Sequence, residues 1–259
     1  MSEASKMPYK DTQLVASRVL VFAPHPDDEI FGSGGALALL CDANAVCQIQ
    51  VCSDGALGGI QQGGLDLTEC RKLESQRALA ALQIETRASL NFWNFADRSL
   101  AQERKLPAAI DAALAQFKPD LVFAPSLMEV HPDHLAVAIN VFECWQSAHH
   151  DRSFELCMYE IGRPIETNCL VDISTVLARK RKAMQCFESQ LAERDYLTVI
   201  EGLNRYRSYT LGNRVVAAEA FFHLPKSSLI ASNRSMRSLS HLTKLLPASM
   251  RSALAELDY

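Results

Sequence analysis

Four short apolar runs, each followed by a stretch of good helix formers, constrain this chain more than anything else in it. RVLVFAP (18–24), AVCQIQVCS (45–53), SLNFWNF (89–95) and DLVFAPS (120–126) read as strands. GGALALLCDAN (34–44), a segment from Thr68 to Leu82 with Thr68 as its cap, LPAAIDAALAQF (106–117) and HLAVAINVFECWQ (134–146) read as the helices between and after them. Continuous apolar strands alternating with helices specify a mostly parallel sheet, buried on both faces and joined by right-handed crossovers. The expected fold is therefore α/β, Rossmann-like and doubly wound, with order 3-2-1-4 at its core. Beyond residue 155 the alternation loosens into two further strands (ELCMYEI, NCLVDIS), a long helix over 174–191 and a strand AAEAFFHL over 217–224. The expected organisation is one domain over 1–224, with its core at 18–150 and a substrate-side portion at 151–224. A smaller basic extension, 225–259, completes the chain.

Composition narrows the partners. A net charge of −4 and 22% charged residues give no overall positive field, which argues against nucleic acid. The N-terminal segment has no apolar signal core, and no apolar run approaches the roughly 18 residues of a membrane span, so a cytoplasmic protein is expected. Eight cysteines, none in a C-x-x-C pair and most inside apolar runs, read as buried free thiols. The tail carries Lys226, Arg234, Arg237, Lys244 and Arg251 and no acid between them. It suits either a solvated helix packed on the domain or a peripheral surface for a membrane or a glycosyltransferase.

Two of the four strands end on the same unusual chemistry. APHPDDEIFGSGG (23–35) follows the first, and SLMEVHPDHLAV (126–137) follows the fourth. A phosphate-binding reading of Gly32-Ser33-Gly34-Gly35 meets two obstacles. Seven residues separate the strand from the glycines, and three carboxylates would repel a pyrophosphate. A metal answers both clusters, because strands 1 and 4 flank the crevice where ligands bind in such sheets. His25, Asp28 and His134 form a His₂Asp set, which suits zinc with a position open for water and also iron(II). Asp27 is then the general base, and His131 the oxyanion donor and acid. Asp133 is expected to orient His131.

APHPDDE with HPDH about a hundred residues later resembles the N-acetylglucosaminyl-phosphatidylinositol de-N-acetylase family, also called PIG-L or LmbE-like. The resemblance extends to Arg71-Lys-Leu-Glu74, Asp97, FKPDLVFAPS, LVDIS, KRKAMQCFESQ and AEAF. It implies a metal-dependent hydrolase, usually of zinc, acting on N-acetylglucosamine conjugates, with the site residues just given; Arg71 and Asp97 match positions that hold sugar hydroxyls. Members are often homo-oligomers. Some carry a tyrosine where this chain has Glu129, so another group must supply that oxyanion contact, or none does. A non-sugar or longer-acyl amide is the alternative substrate, and a non-catalytic nucleotide-binding module is the alternative class.

Several residues admit a plainer role. Arg71 suits a helix arginine bonded to a nearby acid, Asp97 a turn, and His149-His150 a helix end. Trp93 and Trp145 read as core, and Glu219 as either a rim residue or a solvated one. The glycine-rich loop 54–66 is either a mobile lid or a flexible connection.

Overall fold

The computed structural model describes residues 11–60, 66–148, 153–228 and 248–255. Among these, a seven-stranded sheet runs in the order β3-β2-β1-β4-β5-β7-β6. Its strands are β1 Arg18–Ala23, β2 Val46–Ser53, β3 Ala88–Phe95, β4 Leu121–Pro125, β5 Glu155–Tyr159, β6 Cys169–Asp172 and β7 Ala218–Leu224. The expected 3-2-1-4 core is present and parallel, β5 continues it in parallel, and β7 is antiparallel to both β5 and β6. The strands after residue 155 thus extend one sheet. Most of the basic tail, and His149-His150, lie outside the described residues. No helix among the described residues is long and apolar enough to cross a membrane.

Strand β1 shows why the sheet is central. Val19, Val21 and Ala23 face one apolar cluster, Leu20 and Phe22 face the other, and all five are fully buried. The first cluster packs under α1 (Asp28–Asp42), α2 (Leu67–Leu82) and α5 (Leu177–Met184), the second under α3 (Leu106–Phe117) and α4 (Pro132–Ser147). Short helix α6 (Glu188–Leu191) leads to α7 (Tyr196–Arg207), and α8 (Ala248–Ala255) follows the sheet. Trp145 is core, whereas Trp93 is only half-buried because β3 is an edge strand. All eight cysteines are free, and five are buried.

Several local expectations are corrected. Helix α1 begins at Asp28, six residues before the predicted start, so the acids of the first cluster occupy its first turn. Its glycines serve packing: a Cβ on Gly32 would lie 2.4 Å from the Tyr159 ring, and one on Gly35 2.6 Å from Ile173. Helix α2 is capped by Asp66, which accepts from the Glu69 N–H, and not by Thr68. The long helix predicted over 174–191 is two pieces, α5 and α6, broken by a tight turn in which Cys186 and Phe187 donate to Ala183 and Met184. Glu219 is neither rim nor solvated. It is 1% exposed, pairs with fully buried Lys180 at 2.6 Å, and accepts from the backbone N–H groups of Gly35 and Ala36.

Candidate metal centre and active site

Strands β1 and β4 end side by side, and each passes within a few residues into a helix, α1 or α4. Pro132 at the first position of α4 fixes that helix's start, with His131 as its cap. The two His-Pro-Asp clusters therefore meet at the carboxyl edge of the sheet, at the switch in strand order, as the alternation requires.

Three donor atoms converge there. His25 Nδ1 lies 3.2 Å from His134 Nε2 and 3.4 Å from Asp28 Oδ2, and His134 Nε2 lies 3.3 Å from Asp28 Oδ2. A tetrahedral ion with bonds of about 2.0–2.1 Å spaces its ligands about 3.3–3.4 Å apart, so this triangle fits one. The remaining ring nitrogens point at carboxylates. His25 Nε2 is 3.1 Å from Asp97 Oδ1 and 3.2 Å from Asp133 Oδ2, which fixes its proton on Nε2 and frees Nδ1 to ligate. His134 Nδ1 faces Glu129 Oε2 at 3.5 Å, an ion-pair distance and too long for a good hydrogen bond. Looser groupings, His25-His131-His134 and His25-Asp97-Asp133, bring their donor atoms within 4.8 Å. The tighter triangle, with its carboxylate-backed histidines, is the better ligand set.

Electrostatics also call for a cation at this point. Burial works against charge on all three groups, yet His25 is held well above the usual histidine range because Asp133, Asp28 and Asp97 outweigh it. His134 is raised against burial by Asp28 and Glu129, and Asp28, against the same burial, is pulled down to about 2 by His134 and His25. These residues fit a divalent metal.

Asp27 is buried and its carboxyl is pushed up to about 7 by burial, with the Arg71 guanidinium pulling the other way. Arg71 is 2% exposed, with Nη1 donating to Gly55 O, and Nη2 to Pro26 O and Asp27 Oδ2 at 2.6 and 3.1 Å. It is thus bonded to an acid, one of the two roles its sequence context allowed. Asp97 uses Oδ1 on His25 and Oδ2 on the Leu57 N–H. One expectation is corrected outright: the Asp133 carboxylate does not reach His131. It serves His25 and accepts from Arg98 N and Leu100 N, because its place in the first turn of α4 aims it across the crevice. His131 Nδ1 instead accepts from the Asp133 backbone N–H, leaving the neutral ring's proton on Nε2. Burial, then the neighbouring His25 and His134, lower the His131 pKa.

A pocket of about 260 Å³, near the lower end for ligand sites, opens over these groups and is walled on its far side by Gln190, Glu193 and Tyr196. The described part of the glycine loop is tied down on both sides. Gly55 and Leu57 bond to Arg71 and Asp97, while Gly58, Gly59 and Ile60 bond to Gln190, Glu193 and Ser189. Gly59, at φ 98° and with Gln190 Nε2 2.2 Å from an added Cβ, has no room for a side chain. Glu74, one turn beyond Arg71 on α2, anchors Ser189 through both carboxylate oxygens. The wall and the Glu129 contact were missed from sequence. Gln190 had a signal in the ESQ block, as Glu74 had in RKLE, and Glu129 stood out only for replacing a tyrosine; Glu193 and Tyr196 had none.

Residues 20–145, the segment holding both clusters, match the family model described as PIG-L, GlcNAc-PI de-N-acetylase. The diacetylchitobiose deacetylase of Thermococcus kodakarensis is 27% identical over 205 residues, 72% of this chain and 73% of that one. Among solved structures, N,N'-diacetylchitobiose deacetylase from Pyrococcus horikoshii superposes with a TM-score of 0.69 at 22% identity, over 88% of this chain and 89% of that one. GalB, the 4-carboxy-2-hydroxymuconate hydratase from Pseudomonas putida KT2440, superposes at 0.62 with 20% identity, over 86% and 99%. At such identities the two superpositions speak for the fold, which hosts more than one chemistry. It is the segment carrying both His-Pro-Asp clusters that matches the PIG-L de-N-acetylase family model.

Proposed function

We propose that the protein is a zinc-dependent hydrolase that removes the acetyl group from an N-acetylated amino sugar. The observation that carries this reading is the triangle of His25, Asp28 and His134 with a buried carboxylate, Asp27, beside it. The relative from Thermococcus kodakarensis, a diacetylchitobiose deacetylase, supports the substrate class.

His25 Nδ1, Asp28 Oδ2 and His134 Nε2 would hold the ion, and iron(II) suits the same donors. Zinc held there would supply a Lewis acid for the amide carbonyl and make a water acidic enough to attack near neutral pH. Asp27 takes the proton of the attacking water, and a carboxyl pushed to about 7 is matched to that task. His131 donates from Nε2 to the oxyanion as the carbonyl becomes tetrahedral. The pull on His131 favours its neutral ring, so the acid role expected of His131 falls here to Asp27, which hands the collected proton on to the departing amine. Asp97 and Asp133 keep His25 turned, and Arg71 keeps Asp27 aimed. Any sugar contact from Arg71 or Asp97 comes in addition to these bonds.

The test is acetate release by zinc-loaded protein from N,N'-diacetylchitobiose, other N-acetylhexosamine glycosides, sugar nucleotides and lipid-linked sugars, with Asp27→Asn as control. Release that the control abolishes supports the reading and names the carrier. Zinc binding with no release from any member would move the assignment to a non-sugar or longer-acyl amide.

A further inference from the structure

Glu29 is a fully buried acid to which the chemistry above gives no task. Its surroundings suggest one. Asp27 is the N-cap of α1, and an N-cap aspartate ordinarily turns its carboxylate back onto the first free backbone N–H groups of its helix. Asp27 makes no such bond, and its backbone sits at φ 132°, ψ −31°, a region that a side-chain-bearing residue rarely enters. In a capping box a glutamate near the helix start reaches back to the N-cap N–H, and the N-cap side chain returns the favour. Only the first half is present here: Glu29 Oε2 accepts from the Asp27 N–H at 3.0 Å. The returning half is missing because the Asp27 carboxylate is turned away to Arg71 Nη2. Glu29 Oε1 has no hydrogen-bond partner among the described residues, and the Asp27 N–H is the one contact its carboxyl makes outside its own residue.

We propose that Glu29 is a positioning residue, holding Asp27 in its left-handed backbone conformation so that the carboxylate a helix cap would consume stays free for catalysis. The assignment rests on Asp27 being the base. Arg71 meanwhile grips Pro26 O, which belongs to the same peptide unit as the Asp27 N–H. Glu29 and Arg71 thus hold the same residue from opposite sides, one by its backbone and one by its side chain.

The experiment compares Glu29→Met, which keeps the volume and removes the acceptor, with Glu29→Gln, which keeps an acceptor oxygen. Both are made with and without Asp27→Asn. Readouts are kcat and KM on N,N'-diacetylchitobiose, bound zinc, and hydrogen exchange at the Asp27 amide. The expected result is a kcat loss of about 100-fold in Glu29→Met with KM and zinc content unchanged, as for a catalytic group displaced by about an ångström. Glu29→Gln recovers most of that loss, and Glu29→Met adds nothing once Asp27 is Asn. The Asp27 amide exchanges faster in Glu29→Met and stays protected in Glu29→Gln. Should Glu29→Met not fold, Glu29→Asp, which withdraws the acid by one methylene, shows the same pattern.

Wild-type kcat and a protected Asp27 amide in the folded variant would overturn the proposal while leaving the base assignment intact. Full activity in Asp27→Asn alone would instead overturn the base assignment, and the proposal with it. If the wild type does not turn over this sugar, the exchange at Asp27 decides.

Discussion

Helix α1 carries buried charge in two places, and the two are built to opposite ends. At its middle, Glu219 and Lys180 bridge the Gly35 N–H and the Phe31 carbonyl, with Asn204 accepting from Lys180 as well. Both Glu219 oxygens are used, and so is Lys180 in three directions. At its N-terminus, Asp27, Asp28 and Glu29 are also buried, yet Glu29 Oε1 and the Arg71 Nε beside them lack partners among the described residues and Asp27 is strained. Burial pushes Asp27 to about 7 and Glu29 to about 8. A buried charge that serves the fold is satisfied by its neighbours; one that serves chemistry is left wanting something that arrives from outside.

That contrast breaks most sharply on Asp27→Asn, which should cost at least about 1000-fold in turnover while zinc content and melting temperature stay near wild type. Removing the metal with a chelator should silence the enzyme to a similar depth, with zinc restoring it. At the middle of the helix the signs reverse. Lys180→Met leaves the Glu219 carboxylate buried without its cation and should cost about 3–5 kcal/mol of stability, read by denaturant unfolding. The rate per folded molecule should not change. A Lys180→Met protein that folds normally but loses turnover would show that the two clusters are coupled along α1.

Smaller effects sharpen the comparison within the site. Asp97→Asn should weaken zinc binding roughly 10- to 100-fold, because its carboxylate orients His25, with little change in KM. If Asp97 instead acts mainly on the sugar, KM rises and zinc affinity holds. The acid limb of the pH–rate profile should follow Asp27. A base must be ionised, so a carboxyl raised toward 7 is active above its pKa and loses rate as pH falls through it. The midpoint should lie at or below about 7, since a bound cation favours the ionised form. Smallest of all, breaking the exposed Arg179–Asp42 pair with Asp42→Asn should move stability by less than about 1 kcal/mol.

Much of the molecule was legible in the chain itself. Alternating apolar runs determined the parallel core, because strands apolar on both faces must be covered by helices on both, and 3-2-1-4 is a common order for such a sheet. From that order alone His25 and Asp28 had to meet His134, across a gap of more than a hundred residues, at the switch point. The tertiary structure decided the rest, wherever a side chain's partner comes from a distant segment that local pattern cannot foresee. Glu219 looked like a lone acid on a strand, and only the packing of β7 against α1 and α5 set Lys180 beside it. Asp133 looked like a partner for His131, two residues away, but the direction of the first turn of α4 aimed it at His25. Sequence spacing brings residues to a region; the angle at which each side chain leaves its backbone, known only once the elements pack, determines what it touches there.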